Sequence, residues 1–213
     1  MSARDASPWC IEPARKPTIL LLSPANLSGK RGAMILNPKA DFAVARELRS
    51  AEGASLGDVF SFVSGLYFRG KASYARAFAY AHGAQPAALV ISAGGGLRPL
   101  DDRITPERLR GWAGVPITEK NPHFTAPLLR HASALLDTHD PETRFVLLGS
   151  VASKKYVEPL LDIFGDRLLF PPQFAGLGDM SRGALLLRAV REQRELAYSP
   201  VVGATLHRAA RAK

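Results

Sequence analysis

The sequence predicts an α/β protein with a central mixed sheet and flanking helices. Three unbroken apolar runs, at 19–22, 89–91 and 145–148, lack the alternation of a half-exposed strand and fit strands buried on both faces. Between them lie stretches with apolar residues at helical spacing, the alternation that βα units produce. Each run also stops at a serine, Ser23, Ser92 or Ser150, and leads into a loop bearing glycine or lysine. In open α/β sheets ligands bind beyond the carboxyl ends of the strands, so the three loops are expected to converge on one polar cleft.

Composition bounds the rest. The 213 residues, 46% hydrophobic and 22% charged, suffice for the full core of one domain. The expected organisation is a leader over 1–16, one domain over 17–199 and a basic tail over 200–213 with His207, Arg208, Arg211 and Lys213. Lys and Arg number 28 against 19 acidic residues, a net charge of +9. Such a field attracts polyanions and makes nucleic acid the first partner to consider; a merely soluble basic protein is the other reading. The single cysteine, Cys10, excludes an internal disulfide and any Cys-rich metal site, and fits a cytoplasmic location. No run reaches the roughly 18 apolar residues of a membrane span, and the N-terminus lacks a signal-peptide core. His123 and His131 are eight residues apart and His139 follows a helix end, so no His-x3-His pair exists; neither metal nor cofactor is expected.

The elements follow in order. The first strand ends at Ser23-Pro24 and opens into a small polar loop with Asn26, Gly29, Lys30 and Arg31, which reads either as an anion cradle or as a solvated turn. Asn37 as N-cap and Pro38 at the first helical position predict a helix with Phe42, Val44, Ala45 and Leu48 at helical spacing. A second helix is expected from Ser55 to Leu66. Next come Tyr67, Phe68, Arg69, Gly70 and Lys71, which suit either a surface that stacks on bases while pairing with phosphates or a pair of core anchors. A short helix over 72–81 leads to the second strand. That strand empties into Gly94, Gly95 and Gly96, either bare peptide for a ligand or a plain strand-to-helix connection, with Arg98 and Asp101 at its rim. Thr105 and Pro106 start a helix that Gly111 closes, and 124–136 form another. The third strand meets Ser153, Lys154, Lys155 and Tyr156. Finally, Gly176-Leu177-Gly178 opens a helix with Ser181, Arg182, Arg188, Arg191 and Arg194. It resembles the hairpin of helix-hairpin-helix DNA-binding motifs, but Pro171-Pro172 stand where the first helix would run.

These residues support two function classes, beside a plain small-ligand α/β protein. In a nucleic-acid-binding protein, Lys30, Arg31, Arg69, Lys71, Arg98, Lys154, Lys155 and Arg182 contact phosphates. Asn26, Ser92, Gly94, Gly95, Gly96, Ser150, Gly176, Gly178 and Ser181 then form the pocket. In an enzyme acting on a flipped base, Asp101 or Asp179 activates water, while Ser23, Ser92 or Ser150 and loop amides stabilise the developing charge.

Four short elements in order resemble the YaaA family: Ser23-Pro24-Ala25, Phe68-Arg69-Gly70, Ser92-Ala93-Gly94-Gly95-Gly96-Leu97-Arg98-Pro99-Leu100-Asp101, and Met180-Ser181-Arg182. Asn26 stands where that family usually has lysine, and Gly94-Gly95 replace Leu-Tyr. The resemblance implies a mixed α/β fold with a positively charged cleft, a helix-hairpin-helix-like element, binding of duplex or distorted DNA and protection against peroxide damage. More distantly the chain is similar to the core domain of archaeosine synthase, and some YaaA relatives are associated with converting the nitrile of a cyano-deazaguanine in DNA to its amide. By that likeness the cleft would be a base-modifying site. Cys10 sits in the leader, so direct attack by water is the expected route rather than a thioimide.

Overall fold

The computed structural model describes residues 16–83, 85–152, 154–202 and 204. The leader up to residue 15 with Cys10, Ser153, and the tail's His207, Arg208, Arg211 and Lys213 lie outside the described residues. The chain runs β1 (Thr18–Leu22), α1 (Lys30–Leu36), α2 (Ala43–Leu48), β2 (Ala54–Ser55), α3 (Leu56–Ser64), α4 (Leu66–Phe78), β3 (Ala88–Ser92), β4 (Gly96–Pro99) and β5 (Arg103–Ile104). It continues through α5 (Pro106–Ala113), α6 (Pro122–Thr138), β6 (Arg144–Leu148), α7 (Lys154–Phe164), β7 (Leu168–Phe170), α8 (Asp179–Arg191) and β8 (Ser199–Pro200).

The main sheet is mixed, with strand order β4-β3-β1-β6-β7-β8. β3, β1, β6 and β7 are parallel, and the antiparallel β4 and β8 close the two edges. β2 and β5 form a separate antiparallel pair. The three apolar runs are the three central strands, where both faces are covered. Alternate side chains serve different cores, as the two-residue period of a strand requires. Leu20, Leu22, Val90, Val146 and Leu148 join Phe60, Phe68 and Leu186 from α3, α4 and α8 on one face. Ile19, Leu21, Leu89, Ile91, Phe145 and Leu147 meet Phe124 and Leu128 of α6 and Leu160 and Phe164 of α7 on the other. Each such side chain removed from water stabilises the fold by about 1.5–3 kcal/mol before entropy is counted.

The topology places a crevice. From β1 the chain crosses to β3 on one side, then returns by way of α5 and α6 to β6 on the other. The carboxyl ends of β1 and β6 therefore flank a topological switch point, where open α/β sheets leave room for ligands.

Several expected elements differ. Lys30 and Arg31 belong to α1, and Asn37 closes that helix instead of starting the next, which begins at Ala43. Helix α4 starts at Leu66, six residues before the expected position, because Tyr67, Phe68, Lys71, Ala72, Tyr74 and Ala75 make one buried stripe. Gly111 lies inside α5, whose C-cap is Gly114. The glycine triplet is a hairpin between antiparallel β3 and β4, with Ser92 opposite Gly96, not a strand-to-helix connection. Before the 176–178 turn come β7 and a single 3-10 turn, Pro172–Phe174, so the local order is strand, turn, helix. Pro200 pairs with Leu169, which carries the sheet past residue 199.

Candidate functional site

Ser23 is the first residue beyond β1, and its amide donates to the Leu148 carbonyl at 3.2 Å, tying it to the end of β6. The next residue on β6's side is Gly149. A Cβ there would stand 2.8 Å from Ser23 Cβ and 3.2 Å from both Ser23 Oγ and the Tyr156 hydroxyl, so only glycine leaves room for this juxtaposition. Above these strand ends opens a cleft of about 770 Å³. Ser23, Asn26, Ser150, Lys155 and Tyr156 line it from the strand-end loops and α7, and Tyr67, Asp179 and Arg182 from α4 and α8. Trp112 and the 113–117 segment complete its wall.

Lys71 lies beneath this cleft, 1% exposed. Its Nζ donates to the Ser23 carbonyl at 2.6 Å and lies 2.9 Å from Ser23 Oγ. Burial pushes the amine down to about 7, against the opposing pull of the Asp179 carboxylate. The faces of Tyr67 and Phe68, 4.5 and 4.7 Å from Nζ, also favour the charged form. Near neutral pH the amine thus exists in both states. Uncharged, it keeps one N–H for the Ser23 carbonyl and turns a lone pair toward Ser23 Oγ–H.

Two tyrosines flank the pair. Burial raises the Tyr156 pKa, against the opposing influence of the nearby Ser23 side chain and Ser150 backbone. Tyr67 is buried and its hydroxyl has no hydrogen-bond partner among the described residues. Burial pushes its pKa up, and the charge of the Arg182 guanidinium beside it opposes that rise, although no hydrogen bond between them meets the geometry. Arg182 itself is anchored by Nε to the Phe174 carbonyl at 3.2 Å and stands 3.6 Å from Asp179. Helices α4 and α8 can bring these groups together because Gly70 and Gly183 meet backbone to backbone. A Cβ on Gly70 would lie 2.7 Å from the Gly183 carbonyl oxygen.

The structure thus gathers Ser23, Asn26, Ser150, Lys155, Asp179 and Arg182 into one cleft, and leaves other expected site residues out of it. Ser92 is fully buried, its Oγ donating to the Gly96 carbonyl and accepting from the Gly95 amide, so it closes the hairpin. Gly94 and Gly95 carry the Trp112 indole, which would collide with a Cβ on Gly95 at 2.8 Å. Gly96 has φ +66° and lets α6 approach, with Pro127 O 2.5 Å from where its Cβ would be. These glycines support the cleft wall instead of cradling a ligand.

Because β4 runs back down the sheet, Asp101 lies past the amino-terminal end of β3, where Leu100 N–H donates to the Ala88 carbonyl. Asp101 pairs there with Arg76 at 2.9 Å, and Arg98 pairs with Asp102 at 2.7 Å. Neither lines the cleft, and Asp101 is at the wrong end of the sheet to activate water in it. Lys71, expected on a phosphate, is buried under the cleft floor. Gly176, Gly178 and Ser181 are exposed beside the start of α8 without lining the cleft. Lys154 is exposed and pairs with Glu158 at 3.2 Å, while Arg31 donates to the Phe62 carbonyl. Lys30 and Arg69 are exposed, with no ion pair among the described residues.

Tyr156 and Trp112 are cleft residues that spacing alone does not select, whereas Tyr67 belongs to the aromatic and basic run at 67–71. The readable signal for Lys71 is its place on the apolar stripe of α4, where a surface cation does not belong. Among the described residues no three His, Cys, Asp or Glu side chains cluster closely enough to hold a metal ion, and no helix is long and apolar enough to cross a membrane. No family model, curated protein or solved structure matches the chain.

Proposed function

We propose that this chain is a nucleic-acid-binding protein of YaaA type, acting on duplex or distorted DNA in protection, repair or modification, and that its cleft receives a single base. The observation that carries this reading is the cleft itself: a polar floor at the β1/β6 switch point, an indole and two phenols in its lining, and Lys155 and Arg182 among its cations. A planar heterocycle would lie against the parts of these buried rings that line the cleft while its phosphates meet the cations. The net charge of +9 supports the same partner. The exposed cations Lys30, Arg69 and Lys155 provide the outer contacts, and Arg98, held by Asp102, does not take part.

Electrophoretic-shift titration of duplex, bulged and single-stranded DNA at two salt concentrations tests the reading. Affinity is expected to fall steeply with salt, to be higher for bulged or single-stranded sites than for plain duplex, and to lose about one unit of salt slope in Lys155→Ala. Arg98→Ala is expected to leave both affinity and slope unchanged. Binding that is absent, or insensitive to salt, overturns the reading.

The second reading, an enzyme acting on a modified base such as a cyano-deazaguanine, draws its support from the contact between Ser23 and Lys71 at the cleft floor. Mass spectrometry of nucleosides recovered after incubation with DNA tests it, and an altered base mass is the expected product.

A further inference from the structure

We propose that Ser23 and Lys71 form a nucleophile and general-base pair that cleaves an acyl group, an ester or carboxamide carried on a planar ring, by way of a covalent Ser23 intermediate. The placing of the ring rests on the reading of the cleft as a base site; the chemistry of the pair rests on its own geometry. Ser23 Oγ lies at hydrogen-bond distance from Lys71 Nζ, and the Ser23 carbonyl fixes that amine by accepting one of its N–H bonds. A lysine buried this far, with no carboxylate in hydrogen-bond contact among the described residues, is a costly way to build a core. A lysine base under a serine is a known solution to activating a hydroxyl without histidine. The second, independent observation is the Tyr67 hydroxyl, buried in the cleft lining with no partner among the described residues. A buried donor left unpaired is the group a substrate oxygen would satisfy.

The step balances without metal, redox partner or cofactor. Lys71 Nζ accepts the Ser23 Oγ–H proton as Oγ bonds to the acyl carbon, and negative charge gathers on the acyl oxygen, where Tyr67 donates. The bond from carbon to the leaving oxygen or nitrogen breaks as Nζ returns the proton to it. Water then adds to the acyl carbon, giving its proton to Nζ, and the Ser23 ester bond breaks as Oγ regains a proton. The sum is acyl compound plus water to carboxylic acid plus alcohol or amine. Tyr156, whose hydroxyl lies with Ser23 Oγ around Gly149, is a positioning residue.

A fluorophosphonate probe on the full chain, followed by peptide mass spectrometry, tests the assignment. Expected is one adduct, on Ser23, forming faster as pH rises through about 7, where the Lys71 amine loses its proton. Among the charged groups near that amine, the Asp179 carboxylate holds this midpoint up. Ser23→Ala is expected to abolish labelling and Lys71→Met to slow it at least about 100-fold. Lys71→Arg, which keeps charge but has no lone pair at neutral pH, is expected to slow it as much; Asp101→Asn is expected to label at the wild-type rate. Cooperative thermal unfolding of each variant separates loss of the pair from loss of the fold. A folded wild type that is unlabelled, or labelled elsewhere, overturns the proposal, as does Lys71→Met labelling at the wild-type rate. DNA binding measured on the same samples keeps the two readings apart. Labelling at Ser23 without DNA binding leaves the pair standing and removes the base site, and binding without labelling does the reverse.

Discussion

Two clusters of buried or half-buried polar groups at the two ends of the parallel strands are treated in opposite ways; apart from both, His139 Nε2 is buried against Phe145 without a partner among the described residues. At the amino-terminal end, Arg144 donates to Thr18 Oγ1 at 2.7 Å and meets Glu195 at 3.4 Å. Tyr74 shares a 2.7 Å hydrogen bond with Tyr198 and accepts from the Leu196 amide, and Arg98 is closed on Asp102. These groups satisfy one another. At the carboxyl end, among the described residues, Tyr67 has a hydroxyl without a partner and Lys71 no carboxylate in contact, and glycine at 149 keeps space open beside Ser23. A polar cluster that completes itself is scaffold; one that remains incomplete is set up for something else.

The comparison can be broken first at the helix contact that holds the incomplete end together. Gly70→Ala places a methyl against the Gly183 backbone, which cannot yield as a side chain tip would. It is expected to cost about 3 kcal/mol in denaturant unfolding and to slow Ser23 labelling, because Lys71 and Arg182 are the residues next to the contact.

Smaller over a single pH unit, and specific to one proton, is the pH dependence of stability. In the folded chain the Lys71 amine gives up its proton near pH 7, whereas an unfolded chain holds it up to about 10.5. Between those values the unfolded state binds more protons, so the contribution of Lys71 to stability rises with pH; below 7 it is flat. Wild type is therefore expected to gain on Lys71→Met by up to about 1.4 kcal/mol per pH unit above pH 7. Parallel pH profiles of the two proteins would contradict the buried, deprotonating amine.

The smallest effect is expected at the completed end. Asp101→Asn removes one exposed ion pair with Arg76 and is expected to shift stability by less than about 1 kcal/mol, with DNA affinity and labelling unchanged. A loss of labelling there would show that the two ends are not separate.

The central strands were legible because β1, β3 and β6 are covered on both faces and so read as unbroken apolar runs. Ser23 and Ser150 were legible for the same reason, since a serine that ends such a run stands at a strand's carboxyl edge. The place of Asp101 is not legible, because the triplet at 94–96 gives no sign of whether the chain goes on to a helix or doubles back. The decisive contacts, Trp112 and Pro127 on the glycines, come from distant residues. Lys71 is hidden in the sequence because Tyr67, Phe68, Arg69 and Lys71 form one mixed aromatic and basic run there. Wound into a helix, Arg69 faces solvent while the other three face inward. Nothing local reveals that the inward lysine ends on Ser23, 48 residues earlier.

The contact between Gly70 and Gly183 has one more consequence. Lys71 directly follows one of these glycines and Arg182 directly precedes the other, so main chain touching main chain works as a caliper that sets the gauge between the two cations. Such a gauge does not drift as side chains change rotamer, and the jaws do not have to close around a guest. Little ordering is then left to be done when a ligand enters. A calorimetric titration is expected to register this as a small entropic penalty on binding.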